Sequence, residues 1–400
     1  MAYKADDRRG LAARMTLGTS PPLARELFAL DPQCAYLNHA AVGVLPLQTR
    51  DALRKFVDEH ARAGVLGVFP YEVRLPAFRE AIAGFVGAHA DEIAVLRNTG
   101  DGANVIAHGL TWQVGDEIVT NDNEFGANAY PWLRLQRRGI NVRFIETGRE
   151  RMTPDVLRKA MSSRTRLVTL SWVTFSDGYR HDLAELAQVA HAGNALIAVD
   201  VVQGLGAFPL DLAHEDLDFA YGGGAKWLMA LQGVSFLYVR KSVQEQLSLS
   251  MPGWRSMSDI WDFCNYSQPP LSNASRFEGG TPNFIGALSL AESINVLTNA
   301  GPSQIAAHVL ALTDYLVTGL RSQGAEISGA RGAKCSSAIV TFSIPGTDCV
   351  SLGKHLQQAG FISTYRPSGI RIAPHGYNTF EEIGCVLHEL QNATRILRSA

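Results

Sequence analysis

Short runs of β-branched and apolar residues recur along the middle of the chain, at residues 117–120, 142–145, 167–170, 195–199 and 234–239. Between several of them the apolar positions switch to helical spacing, most clearly over residues 182–192. That alternation predicts an α/β region built on a largely parallel sheet. Beyond Thr281-Pro282-Asn283 the pattern changes to two long helical stretches, 285–300 and 303–322, then strand-like runs at 338–342 and 369–372 and a closing helix from Phe380. This second region reads as a smaller α+β domain. The expected organisation is an N-terminal arm (1–30), a large domain (31–283) and a small domain (284–400), with no internal repeat.

In parallel sheets ligands collect beyond the carboxyl ends of the strands. Asp200 falls where the run 195–199 should end, and Lys226 lies in Tyr221-Gly222-Gly223-Gly224-Ala225-Lys226-Trp227, read as a glycine loop between strands. A lysine whose backbone can crowd a ligand, with a carboxylate able to keep a pyridine nitrogen protonated, points to pyridoxal phosphate chemistry. In this reading Lys226 forms the Schiff base and carries the proton, Asp200 pairs with the ring nitrogen, Gln203 reaches the phenolic oxygen and Val202 covers a ring face.

The segment from Arg97 to Ala107 contains Thr99-Gly100-Asp101-Gly102, a glycine-rich loop opening a helix. Backbone N–H groups there would bind phosphate, although a turn and cap read the same way. Phe125 follows a strand and is placed to stack on a ring or to join the core. Arg371 interrupts an apolar strand, where a buried guanidinium needs a bidentate partner. A substrate carboxylate and a structural carboxylate both fit. The loop from Arg276 to Asn283 presents a hydroxyl at Thr281, or simply links domains.

Composition narrows the partners. The 400 residues are 46% hydrophobic and 18% charged with a formal net charge of −2, so no basic surface for nucleic acid is expected. No apolar run approaches the ~20 residues that span a bilayer and no signal peptide is evident, so a cytoplasmic enzyme of small molecules is expected. The five cysteines, Cys34, Cys264, Cys335, Cys349 and Cys385, are too scattered for a disulfide framework or a metal site. Cys264, in a polar stretch, is the one held open as reactive.

With these residues assembled, the chain resembles the class V aminotransferase family of fold-type I pyridoxal phosphate enzymes, which includes cysteine desulfurases, C–S lyases and isopenicillin N epimerase-like proteins. The resemblance runs from Tyr36-Leu37-Asn38-His39 to Arg371-Ile372-Ala373-Pro374-His375. It implies a large domain with a mostly parallel sheet of the seven-stranded type beside a smaller α+β domain. It also implies Lys226 as the Schiff-base lysine and a cofactor site of Thr99, Gly100, Asp101, Phe125, Thr174, Asp200, Val202, Gln203, Gly223 and Thr281. Substrate would meet Asn38, His39 and Arg371, which takes the carboxylate. Thr281 would reach the phosphate of a neighbouring subunit, implying a homodimer with shared active sites.

The departures matter equally. Gly100 and Ala225 stand where relatives often carry Thr and His, and Phe175 replaces an Asn of many desulfurases. Desulfurases also carry a catalytic cysteine in the loop before the carboxylate-binding arginine, where this chain reads Gly360-Phe361-Ile362-Ser363-Thr364-Tyr365-Arg366. The expected activity is therefore an epimerase or β-eliminating (C–S) lyase acting on an α-amino acid through a Cα carbanion. The alternatives are an aminotransferase, a desulfurase using a non-standard cysteine, and a non-catalytic binding protein on the same fold.

Overall fold

The computed structural model describes residues 20–148 and 150–399. Residues 1–19 of the expected arm lie outside the described residues. The chain divides into a larger unit, residues 43–175 and 180–299, and a smaller one that includes residues 20–42, 176–179 and 300–399.

Strand β1 (Ala35–Tyr36) belongs to the smaller unit and the next seven to the larger: β2 (Ile93–Leu96), β3 (Glu117–Asn121), β4 (Asn141–Ile145), β5 (Thr165–Ser171), β6 (Leu196–Asp200), β7 (Phe219–Gly223) and β8 (Ser235–Val239). They form one sheet in the order β2-β8-β7-β6-β5-β3-β4. Every pairing from β7 across to β4 is parallel, and β8 alone runs antiparallel to both its neighbours. The inner strands β5, β6, β7 and β8 are buried almost without interruption, as continuous apolar runs with both faces covered should be.

The supposed glycine loop before Lys226 is partly strand. Gly222 and Gly223 close β7 opposite Phe236 and Ser235. The glycines are needed for close approach: a Cβ on Gly222 would sit 3.1 Å from Val201, and one on Gly102, in helix Thr99–Gly109, would sit 2.6 Å from Tyr221. The helix that opens the expected phosphate loop thus lies directly on the strand that leads to the lysine.

In the smaller unit β9 (Glu326–Ile327), β10 (Val340–Ser343), β12 (Thr364–Arg366) and β13 (Gly369–Ile372) form an antiparallel sheet in the order β12-β13-β10-β9, while β11 (Phe361–Ile362) pairs with β1. Its core joins Phe342 and Ile370 of the sheet to Leu316, Leu352, Ile383 and Leu390 of the helices.

The division of the chain differs from expectation at both ends of the large domain. Helix Phe284–Ala300, expected to begin the small domain, packs in the larger unit, because Ser289 accepts the Leu231 N–H (3.1 Å) and Ser293 donates to the Met229 carbonyl (2.9 Å). Residues 31–42 go with the smaller unit, held there by the β1–β11 pairing and by Ala373 N–H donating to the Leu37 carbonyl.

At the amino end of the sheet His191 sits between Asp216 (3.0 Å) and Asp218 (2.8 Å), and Asp218 also accepts the Ile197 N–H. The hydrogen bond to Asp218 raises the imidazole above its ordinary value, against the opposing effect of burial. Because the folded value is raised, the stabilisation is complete below about pH 6.5 and fades as pH climbs through the elevated value. His191→Ala is expected to lower stability by about 1 kcal/mol at pH 6. Denaturant melts should show the gap to wild type narrowing in alkaline buffer.

Candidate active site

Lys226 follows β7 in a turn closed by Met229 N–H donating to the Lys226 carbonyl (3.0 Å), with Met229 in the left-handed region at φ 53°. A second strand of chain clamps this turn: Gly43 N–H donates to the Ala225 carbonyl at 2.7 Å. A Cβ on Gly43 would fall 2.0 Å from the Lys226 carbonyl oxygen, so no side chain can stand there. The ammonium lies 5.4 Å from the ring centroid of Phe125, which packs edge-on against Phe175 at 5.4 Å. Phe125 is 48% exposed and so is not the core residue its alternative reading required.

Asp200 ends β6, fully buried, and its Oδ1 accepts the Val202 N–H at 2.9 Å. Burial pushes its carboxyl up to about 7, opposed by the Val202 N–H and the Lys226 charge and reinforced by Glu124. Three residues on, Gln203 is buried and accepts the indole N–H of Trp227 on Oε1 at 3.0 Å. Thr99 accepts the Gly223 N–H at 3.1 Å, tying the start of the helix to the end of β7. Lys226, Asp200, Val202, Gln203, Phe125, Thr99 and Gly223 therefore all arise at the carboxyl edge of one sheet, and Thr174 is buried just beyond β5.

Three expected residues stand apart. Asp101 is committed elsewhere, since its N–H is capped by the Asn98 side chain (3.0 Å) and its carboxylate pairs with Arg97 (2.8 Å). Its like charge would also oppose a phosphate, whereas Thr99 and Gly100 stand at the helix start without such a charge. His39 is fully buried against His375 and Tyr377, with Nδ1 3.4 Å from the Ala373 carbonyl, and burial drives its proton affinity well down. It packs the interior of the smaller unit. Thr281 is exposed on its loop, which Glu278 anchors by accepting from Arg79 (2.8 and 2.6 Å) and from the Val95 N–H (3.0 Å).

In the smaller unit Arg371 lies on β13, with Nη2 3.4 Å from the Thr364 hydroxyl, which itself donates to Asn38 at 2.8 Å. Its guanidinium is lowered to about 10, first by burial and then by the nearby Arg366 charge.

One buried network escaped the sequence reading. Glu124 accepts from Ser171 N–H (2.9 Å), Ser171 O–H (2.5 Å), Asn128 (2.9 Å) and Asn121 (3.2 Å), and burial raises its carboxyl. Asn128 in turn accepts from Trp132 (3.1 Å), Thr169 (3.1 Å) and Tyr221 (2.5 Å). The network fastens the ends of β3 and β5, from which Phe125 and Phe175 emerge. The only sequence signal was a run of polar residues, Asn121 to Glu124, at the end of an apolar strand.

A buried carboxylate with a raised proton affinity is what a cationic ring nitrogen would relieve. The residues present thus fit pyridoxal phosphate. Sheet, lysine and carboxylate together define a fold-type I pyridoxal phosphate enzyme. The model of the family described as aminotransferase class-V matches residues 35–379, and the chain belongs to that family. It is 29% identical over 376 residues to a probable cysteine desulfurase of Methanothermobacter thermautotrophicus, covering 87% of this chain and 92% of that one. Over 386 residues it is 28% identical to isopenicillin N epimerase of Streptomyces clavuligerus, covering 90% and 95%. The apo cysteine desulfurase of Thermococcus onnurineus superposes with a TM-score of 0.86 at 24% identity, over 96% of this chain and all of that one, a likeness of fold.

Proposed function

We propose that this chain is an epimerase or β-eliminating C–S lyase of α-amino acids, with Lys226 moving the proton at the substrate Cα. The observation that carries the reading lies before Arg371. Residues 361–366, where the desulfurases the chain resembles place a catalytic cysteine on a mobile loop, hold no cysteine and are drawn into β11 and β12 with only Ser363 between them. Chemistry that needs a thiol at that place is disfavoured, and chemistry that needs only Lys226 remains.

Bound pyridoxal phosphate supplies an electron sink for the bond broken at Cα. Asp200 keeps the ring nitrogen charged, Phe125 covers a ring face, and the Gly100 backbone holds phosphate at the helix start. Arg371 binds the substrate carboxylate, and Lys226, half-buried and close to Phe125, takes and returns the proton. Incubating the holoenzyme with L- and D-amino acids, including cysteine and cystine, in deuterated water tests this. Expected is Cα deuterium in an inverted amino acid, or pyruvate with ammonia. Stoichiometric keto acid with the cofactor left in its amine form would establish an aminotransferase instead.

Arg371→Gln is expected to raise KM for the amino acid by ~10² with a smaller change in kcat, since a charge-assisted pair with the carboxylate is lost. The spectral response to a simple alkylamine, which has no carboxylate, should be unaltered; an equal loss for both would contradict the role.

The homodimer belongs to the same reading. In the larger unit Trp254, Trp261 and Phe263 cluster with ring centroids 6.0 to 6.2 Å apart, and Phe69 lies 6.4 Å from Trp261, all exposed. Arg255 N–H donates to the Gly279 carbonyl, joining this apolar face to the Thr281 loop. A partner subunit would cover both, bringing Thr281 to its phosphate. Sedimentation at micromolar concentration should give a dimer, and an active monomer would remove the shared-site model. No helix among the described residues is long and apolar enough to cross a membrane, and the five cysteines are free.

A further inference from the structure

Trp227 follows the lysine directly and is fully buried. Its indole nitrogen can only donate, and it donates to Oε1 of Gln203 at 3.0 Å. An amide is two-faced, with an acceptor and a donor on the same carbon, and nothing in a glutamine's shape decides which it presents. The indole decides it here. With Oε1 held by Trp227, Nε2 is the atom the side chain turns away from Trp227.

The surrounding backbone leaves little freedom to undo this. The turn carrying Gln203 is fastened by Val201 N–H to the Tyr221 carbonyl (2.9 Å), Gly204 N–H to the Val201 carbonyl (3.1 Å) and Leu205 N–H to the same oxygen (2.9 Å). Farther along, Gly206 adopts φ 104°, and a Cβ there would lie 2.3 Å from the Trp227 carbonyl oxygen. The segment bearing Lys226 and the segment bearing Asp200 are therefore packed main chain against main chain at Gly206 and joined side chain to side chain at Gln203.

We propose that Trp227 is a positioning residue that fixes the amide of Gln203 so that its N–H2 group, and not its carbonyl, faces the ring oxygen of the cofactor. This rests on the reading of Gln203 as the ring-oxygen contact. A donor at that place stabilises an ionised oxygen, whereas a carbonyl would repel it. The ring oxygen also competes for the proton on the Lys226 nitrogen. A donor weakens that competition, and its loss raises the pH at which the proton leaves.

The test is a pH titration of the visible band of the substrate-free holoenzyme. Wild type is compared with Trp227→Phe, Gln203→Ala and the double variant. Each single change is expected to raise the midpoint by about one pH unit, the size of one hydrogen bond to a charged group. The double variant should match Gln203→Ala alone, since both remove one interaction. If Gln203→Ala shifts the midpoint and Trp227→Phe does not, or if the two add, Trp227 does not act through Gln203 and the proposal is overturned. If neither shifts it, the ring-oxygen reading of Gln203 fails first and the proposal with it. Should Trp227→Phe fail to fold, site-specific 3-benzothienylalanine at position 227 keeps the shape, removes only the N–H and is held to the same outcomes.

Discussion

Lys226→Ala is expected to reduce turnover by on the order of 10³-fold or more while leaving the fold intact. The turn does not depend on the side chain. It is held by Gly224 N–H to Val234, Ala230 N–H to Gly224, Met229 N–H to Lys226 and Gly43 N–H to Ala225, all backbone contacts. What disappears is the ammonium 5.4 Å from Phe125, whose charge also acts on Asp200. Two readouts separate this from a general loss of structure. Borohydride reduction followed by mass spectrometry should attach a phosphopyridoxyl group to Lys226 in wild type and to nothing in the variant. Added alkylamine should restore part of the proton transfer without restoring the covalent link. Full activity in the variant, or a reduced adduct on another lysine, would remove Lys226 from the mechanism.

The parts of this molecule that were legible in its sequence are those in which residue type alone carries the information. Runs of Val, Ile and Leu marked β3, β4, β5, β6 and β8 to within two residues; for all but the largely exposed edge strand β4, burial on both faces leaves almost no other composition available. β7 was missed because it ends in Gly222 and Gly223, which lie close against Val201 and Thr99, and glycine reads as a loop when its neighbours in space are unknown. For Lys226 and Asp200 the legible part was their placement, Asp200 closing β6 and Lys226 following β7.

Trp227, Glu124 and Gly43 were not legible, since what they do depends on atoms reached through space: a glutamine oxygen, a serine on the next strand, the lysine carbonyl. His39 differs in the opposite sense. Its type promised chemistry, and its position in the strand-like entry to the smaller unit turned the ring inward against His375 and Tyr377. At Asp101 a helix start that suits phosphate equally suits a side-chain cap, and Asn98 supplies the cap.

Asp200→Asn is expected to cost turnover ~10³-fold and to abolish a pH dependence that wild type should show without any substrate. The isosteric amide keeps the hydrogen bond from Val202, so the local backbone is preserved. Burial raises the Asp200 carboxyl to about 7 from an ordinary value near 4, so between about pH 4 and 7 the folded apo protein holds a proton that the unfolded chain has lost. Stability contributed by this group therefore falls as pH rises through that window. A cationic ring nitrogen beside the carboxylate reverses the preference, favouring the ionised form and drawing the value down. The stabilisation conferred by added pyridoxal phosphate should accordingly grow from pH 5 to pH 7 in wild type and stay flat in Asp200→Asn. Thermal melts of apo and reconstituted protein across that range measure the difference directly. A flat response in wild type would mean that Asp200 does not meet the ring nitrogen. A growing response that survives in Asp200→Asn would assign the proton to another group, and Glu124, buried at the same strand ends with its own raised carboxyl, would be the residue to replace next.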